Sequence, residues 1–293
     1  MDIASSSRSA SRAYPSWFLA PAGIVFVVFF IVPSIAAVFF SLTRWSLAEW
    51  DFIGLDNYLQ FFREPFLFLG VVHTLIYAAV TSSMKVVLGL MLAVLLTSRL
   101  PGRDLLRAIV FFPTLVSTIG VGITFSALMH PTHGLINSSL SLFGLEGPSW
   151  LTDPRFALLS VAVVDVWKGV GLATVIYIAG LVSIPRDYYE AATLDGAREW
   201  QRFRAITLPL LYPATTTVIT LSFIGGLRSF DLIWAMTRGG PGFTTDVIAS
   251  VIFKQYQAGF YGLSTAGNVV LFALVVGVAL PLMRFLNRRE VSA

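Results

Sequence analysis

Residues 184–209 read IPRDYYEAATLDGAREWQRFRAITLP and lie between two long apolar runs. Arg186, Asp187, Glu190, Asp195, Arg198, Glu199, Arg202 and Arg204 all fall in this segment, in a chain that is only 12% charged. A hydrophobic chain that gathers its charge into one internal segment presents that segment to water and to a partner. What the flanking runs are then decides the fold.

Outward from this segment, the 293-residue chain is 56% hydrophobic, with 24 Phe and a mean hydropathy of +0.78. That is more apolar surface than one soluble core of this size hides, so the class is integral membrane protein. Six stretches, residues 17–42, 70–97, 106–129, 156–183, 206–236 and 265–286, reach the roughly 20 residues a helix needs to cross a bilayer. They show no period-2 alternation, which favours helices over a barrel of short strands. The expectation is an all-α membrane protein of six transmembrane helices. The chain has no cysteine, which excludes disulfides and thiolate metal sites.

The net charge of +4 comes from basic residues that alternate between segments and form no run suited to nucleic acid. Arg8, Arg12, Arg99, Arg103, Arg107, Arg186, Arg198, Arg202, Arg204, Arg284, Arg288 and Arg289 fall on one set of segment ends. Arg44, Arg63, Arg155, Arg238 and Lys254 fall on the other. The excess of Lys and Arg on the first side makes both termini, and residues 184–209, cytoplasmic. Arg8 and Arg12 resemble a signal-peptide n-region, but the apolar run after them is too long, so an uncleaved first span is expected. The partition is a cytoplasmic tail (residues 1–16), a first helix with its outer loop (17–69), a permeation core (70–287) and a second tail (288–293).

The outer loop FIGLDNYLQFF, residues 52–62, combines Phe52, Tyr58, Phe61 and Phe62 with Gly54 and Asn57 and suits an interfacial aromatic belt better than a ligand platform. His130 and His133 are spaced like metal ligands, yet nothing nearby completes a set of three or four. TRGGPGFTTD, residues 237–246, is a turn. His73 reads as a polar residue near a helix end.

Ionisable groups inside spans are costly and are either paired or functional. Lys85, Asp165, Lys168, Arg228 and Asp231 are such groups. Asp165 and Lys168 share a helix face, as do Arg228 and Asp231, so self-pairing explains both couples. Alternatively they line a polar cavity with Trp167, Tyr177 and Trp234, a mixture of hydrogen-bonding groups and flat apolar faces suited to a sugar. On a rise of about 1.5 Å per residue, both couples fall about 12 Å inside the outer ends of their spans.

The three lysines, Lys85, Lys168 and Lys254, are preceded by Met84, Trp167 and Phe253, so there is no phosphate-binding Gly-Lys loop. No catalytic constellation suggests an enzyme, and unpaired acids for a proton relay are few. Energy for active transport has to come from a partner; a channel or ion-coupled carrier acting alone is the other reading, with Asp165 and Arg228 as its ion path. In the charged segment, Pro185 and Asp187 suit a helix start. Gly196 suits a left-handed cap, and Arg198 a second helix leading to Leu208 and Pro209.

Glu190-Ala191-Ala192, then Gly196, then Ile206, Thr207 and Leu208-Pro209 resemble the EAA signature of permease subunits of bacterial ATP-binding-cassette importers. FIGLDNY (52–58), RAIVFFP (107–113), AGLVSIP (179–185), Phe230-Asp231 and TRGGP (237–241) resemble the sugar-importer branch of the type I permeases, the maltose and glycerol-phosphate permease type. The chain departs from the maltose permease in lacking a large external domain and extra N-terminal spans, so no sugar-contacting residue is carried over.

This resemblance implies a type I importer permease fold in the bacterial cytoplasmic (inner) membrane, carrying a mono- or oligosaccharide or glycerol phosphate; the few basic groups within spans favour a neutral sugar. It implies a second homologous permease, two ATPase subunits that hold ATP and Mg, and an extracytoplasmic solute-binding protein, with no cofactor bound by this chain. Glu190, Ala191, Ala192, Asp195, Gly196 and Arg198 are the coupling residues it implies. A helix pair wedged in a cleft that closes moves as a lever, so the adjoining spans rock with it.

Overall fold

The computed structural model describes residues 16–46, 49–98 and 100–287; expectations resting on Arg8, Arg12, Arg99, Arg288 and Arg289, and on residues 1–15 and 288–293, lie outside them. Helix α1 (Trp17–Ser41) leads into an antiparallel ribbon of β1 (Thr43–Trp45) and β2 (Trp50–Phe52). Then follow α2 (Asp56–Arg63), α3 (Pro65–Thr97), α4 (Arg103–Leu115), α5 (Thr118–Leu128), α6 (Leu135–Ser141) and α7 (Ala157–Ser183). The chain continues through α8 (Arg186–Leu194), α9 (Glu199–Leu210), α10 (Tyr212–Leu227), α11 (Asp231–Met236), α12 (Ile248–Gln257) and α13 (Tyr261–Asn287).

Helices α1, α3, α7 and α13 are each long and apolar enough to cross a membrane. The pairs α4–α5 and α9–α10 qualify only together, and they bend by 99° and 63°. The count is therefore four spans, or six if each bent pair is one. Prolines account for several of the irregularities. Pro33 has no N–H and its ring would strike the carbonyl four residues back; the helix widens into a π-turn over Val27–Ile31, with the Val32 N–H donating to the Val27 carbonyl. The same device precedes Pro209, where Phe203–Thr207 forms a π-turn and the Leu208 N–H donates to the Phe203 carbonyl. In α4, Pro113 lies inside the helix, and the extended backbone of Val116 ends it.

The helical architecture carries one short addition, the β1–β2 ribbon, and two expectations are corrected. The run 206–236 is not one span, because α10 stops at Leu227 and α11 is a separate short helix packed on α5. Arg228 consequently sits at the C-cap of α10 rather than about 12 Å inside a span. Finally, Phe61 is not part of an aromatic belt: it is fully buried against Leu67, Ile248 and Val251.

The centre of the molecule is α3 against α7. They run parallel: Tyr77 clusters with Val161, Lys85 reaches Asp165, and Ala93 clusters with Tyr177. The Thr97 end of α3 therefore lies on the same side as the α8–α9 hairpin, and the Pro65 end lies opposite. Helix α10 returns antiparallel, with Gly226 against Ala78 and Gly180 against Ala214. Backbones approach closely at the glycines. A Cβ on Gly226 would lie 2.6 Å from Ala78 Cα, and one on Gly171 would lie 2.5 Å from the Val110 carbonyl oxygen. With no hydrophobic drive between helices in lipid, such close packing supplies much of the cohesion. Helix α1 packs mainly on α13 and buries none of its apolar stretch.

At the Pro65 end, the FIGLDNY stretch works as a staple. Asn57 donates to the carbonyls of Ser41 (2.8 Å) and Thr43 (2.9 Å), and the Tyr58 hydroxyl meets Ser41 Oγ at 2.6 Å. The TRGGPG turn is fastened by Asp246, buried at 1% exposure, which accepts from Lys254 Nζ at 2.6 Å and Ser250 Oγ at 2.7 Å. His73 Nδ1 lies 3.0 Å from the Asp246 carbonyl oxygen, and Thr74 Oγ1 accepts from the Ile248 N–H. His73 thus ties α3 to the start of α12.

Candidate functional site

The α8–α9 hairpin is built by its end groups. Asp187 in the first turn of α8 suits the positive end of the helix. At the other end Gly196 adopts φ +75°, its N–H donates to the Thr193 carbonyl (3.0 Å), and the Ala197 N–H donates to the Ala192 carbonyl (2.9 Å). These two bonds are a Schellman cap, which places the next residues at a fixed angle. Arg198 then starts α9, its N–H held by Gln201 Oε1 at 2.7 Å. Arg202 Nη1 donates to Thr193 Oγ1 at 2.8 Å and closes the two helices on each other.

The underside of the hairpin is pinned. Ile184, Tyr189, Ile206 and Leu211 join a cluster with Ala93, Tyr177 and Val218, and the Tyr189 hydroxyl meets Thr207 Oγ1 at 2.9 Å. The opposite side is open. Glu190, Ala191, Asp195, Gly196 and Arg198 are exposed and Ala192 is half-buried. Leu194, at 90% exposure, and Trp200, at 67%, stand beside them. The arrangement is a rigid hairpin, anchored to α7 and α10, whose free face offers small residues, carboxylates and two large apolar side chains.

The second feature is a cleft of about 180 Å³ between α3, α4, α7 and α10. Its walls include Lys85, Thr114, Asp165, Lys168, Ser222 and Gly225. Asp165 does not pair with Lys168 as the helical spacing suggested; its Oδ2 accepts from Lys85 Nζ at 2.7 Å, across from α3. Gly169 makes this possible, because a Cβ there would lie 2.7 Å from Lys85 Cε. The Lys168 carbonyl accepts from Thr114 Oγ1 at 3.1 Å, and no ion pair engages its ammonium among the described residues.

The other sequence-derived cavity residues lie elsewhere. Trp167 is 43% exposed and packs on Phe125. Tyr177 is fully buried in the cluster under the hairpin. Trp234 stacks on Phe230 and meets Phe253 edge-on. Arg228 and Asp231 form no ion pair, since α10 ends between them. Arg228 does continue the stripe of Leu221 and Gly225 on α10, one turn beyond the cleft. Lys85 and Gly169 belong to the cleft and were not placed there from the sequence. The signal for Lys85 was its charge inside a span, whereas a glycine cradle has no sequence mark. No group of three metal-ligating side chains occurs among the described residues; His130 Nδ1 instead faces the backbone amides of Thr132 and His133.

Residues 85–291 match the family described as binding-protein-dependent transport system inner membrane component. The trehalose/maltose transport system permease protein MalF of Thermococcus litoralis is 37% identical over 271 residues, covering 92% of this chain and 91% of the relative. The sulfoquinovosyl glycerol transport system permease protein SmoG of Agrobacterium fabrum is 32% identical, covering 93% and 90%. A solved bacterial ABC transporter involved in the import of the acidic polysaccharide alginate superposes with a TM-score of 0.80 at 25% identity, covering 92% and 94%. A second structure, of the alginate transporter in complex with alginate pentasaccharide-bound periplasmic protein, gives a TM-score of 0.77 at 25% identity, covering 92% and 91%.

Proposed function

The chain belongs to the inner-membrane components of binding-protein-dependent transport systems, and from that premise we propose that it forms half of the translocation pathway of an ATP-driven carbohydrate importer. The reading has six spans, each bent pair counting as one, in the cytoplasmic membrane of a bacterium, with both termini and the α8–α9 hairpin on the cytoplasmic side. A second homologous permease completes the pathway, one of two ATPase subunits docks on the hairpin, and an extracytoplasmic binding protein delivers the sugar to the face carrying the β1–β2 ribbon. Residues 17–69 are the first span with its outer loop, and residues 70–287 the core.

The hairpin carries this reading. Its free face holds Glu190, Ala191, Ala192, Asp195, Gly196 and Arg198 beside the exposed Leu194 and Trp200, while its underside is bonded to α7 and α10. Leu194 and Trp200 are large apolar groups beside charged side chains, a composition suited to a protein partner. When an ATPase cleft closes on the hairpin, the rigid cap at Gly196 passes the displacement to α7 and α10, which wall the cleft. ATP binding thereby biases one orientation of the cleft over the other. Asp165 and Lys168 line the sugar path and Arg228 extends it, while Trp167, Tyr177, Asp231 and Trp234 lie outside the cleft walls.

The test is co-purification and transport. The tagged chain, expressed with its partners, should bring down an ATPase, and Leu194→Glu should weaken that association while the chain still inserts in the membrane. Sugar flux in liposomes holding this chain without any ATPase would sink the reading in favour of a stand-alone carrier.

A further inference from the structure

Lys168 is eleven residues into α7 from Ala157, about 16 Å along a helix long enough to span the membrane. A cation at that depth is costly unless something meets it. Each other charge in the cleft is already met. Lys85 lies across Gly169 and ends 2.7 Å from Asp165 Oδ2, so these two charges cancel inside the protein. Any side chain at position 169 would displace Lys85, so the cradle keeps that pairing in place. Among the described residues, Lys168 is left as the charge of the cleft with no ion-pair partner. Its backbone is held too, since Thr114 on α4 donates to its carbonyl oxygen. The result is a neutral ion pair on one wall and, beside it, a half-buried lysine whose backbone is held in place.

We propose that Lys168 is the residue that recognises the cargo, and that the cargo is a carbohydrate bearing a carboxylate, sulfonate or phosphate. A neutral sugar would accept a hydrogen bond from the ammonium but leave its charge uncompensated within the membrane. An anionic substituent forms a charge-assisted hydrogen bond and cancels the charge. The named relatives include a trehalose/maltose permease and the solved transporter handles an acidic polysaccharide, so kinship does not choose between the two classes. The unpaired ammonium does. This inference rests on the reading of the chain as half of a carbohydrate pathway.

The experiment uses the complete transporter in proteoliposomes with its binding protein and internal ATP. The probes are a uronate disaccharide, a sulfonated glycoside, a glycosyl phosphate and a neutral disaccharide. The expected result is uptake of an anionic probe and not of the neutral one. Lys168→Gln should raise the half-saturating concentration about tenfold or more, the size expected for losing a hydrogen bond to a charged group. Lys168→Arg should retain most of the affinity, and both variants should elute as assembled complexes. Efficient uptake of the neutral disaccharide, indifferent to Lys168→Gln, overturns the inference and leaves the carbohydrate reading standing. Uptake of an anionic probe that Lys168→Gln does not alter overturns the inference as well. No ATP-driven uptake of any of the four overturns the carbohydrate reading itself.

Discussion

At the scale of single residues, the two sites depend on glycines for different reasons. Gly196 is needed for its backbone: φ is +75° and no atom crowds a Cβ there. A β-branched residue at that angle costs about 1–2 kcal/mol, concentrated in the Schellman cap. Gly196→Val should therefore insert normally, as judged by membrane fractionation, and lose most ATP-driven uptake; normal uptake by this variant would show that the cap does not transmit motion. Gly169 is needed for space, because it lets Lys85 reach Asp165. With side-chain exposures of only 11% and 22%, leaving either charge alone is expensive. Lys85→Met and Asp165→Asn should each lower stability by about 3 kcal/mol, and the double variant should recover more than half of the combined loss. Thermal unfolding in nanodiscs measures the cycle, and purely additive losses would mean that the pair is not coupled. The charge of Lys85 was legible in the sequence. Its partner was not, because helical spacing offered Lys168 to Asp165 and only the parallel packing of α3 on α7 brings a nearer cation.

At the scale of elements, the helices break where proline or a change in backbone conformation forces them to. The two π-turns, ahead of Pro33 and Pro209, place one device at the start of the chain and one inside the hairpin's exit to α10. Helix existence could be read from apolar length, but the ends could not. Residues 228–230 carry no proline, and the separation of α10 from α11 is decided by α11 packing on α5. Interhelix contact is tight enough that volume controls it. Gly226→Leu, which drives a side chain toward Ala78 Cα at 2.6 Å from the first added atom, should destabilise the α3–α10 contact by about 1–3 kcal/mol. The same nanodisc melting assay reads this out. An unchanged melting temperature would mean that the two helices separate freely.

At the scale of the whole molecule, the absence of cysteine in the sequence makes sidedness directly testable. Leu194→Cys, on the hairpin, and Phe143→Cys, after α6, replace side chains that are 90% and 81% exposed. A membrane-impermeant maleimide added to intact cells should label the second and not the first, and opened cells should label both. Labelling of Leu194→Cys in intact cells would invert the proposed orientation. Apolar runs too long and too numerous for a soluble core determined a helical membrane protein from the sequence alone. Clustered charge and the Glu190-Ala191-Ala192…Gly196 spacing marked the hairpin, since both properties are local in the chain. Tertiary structure alone decided which charges cancel, where α10 stops and which residues share the cleft. Those outcomes depend on contacts between residues such as Lys85 and Asp165, 80 positions apart, and the pattern within either helix carries no record of how its neighbour is placed.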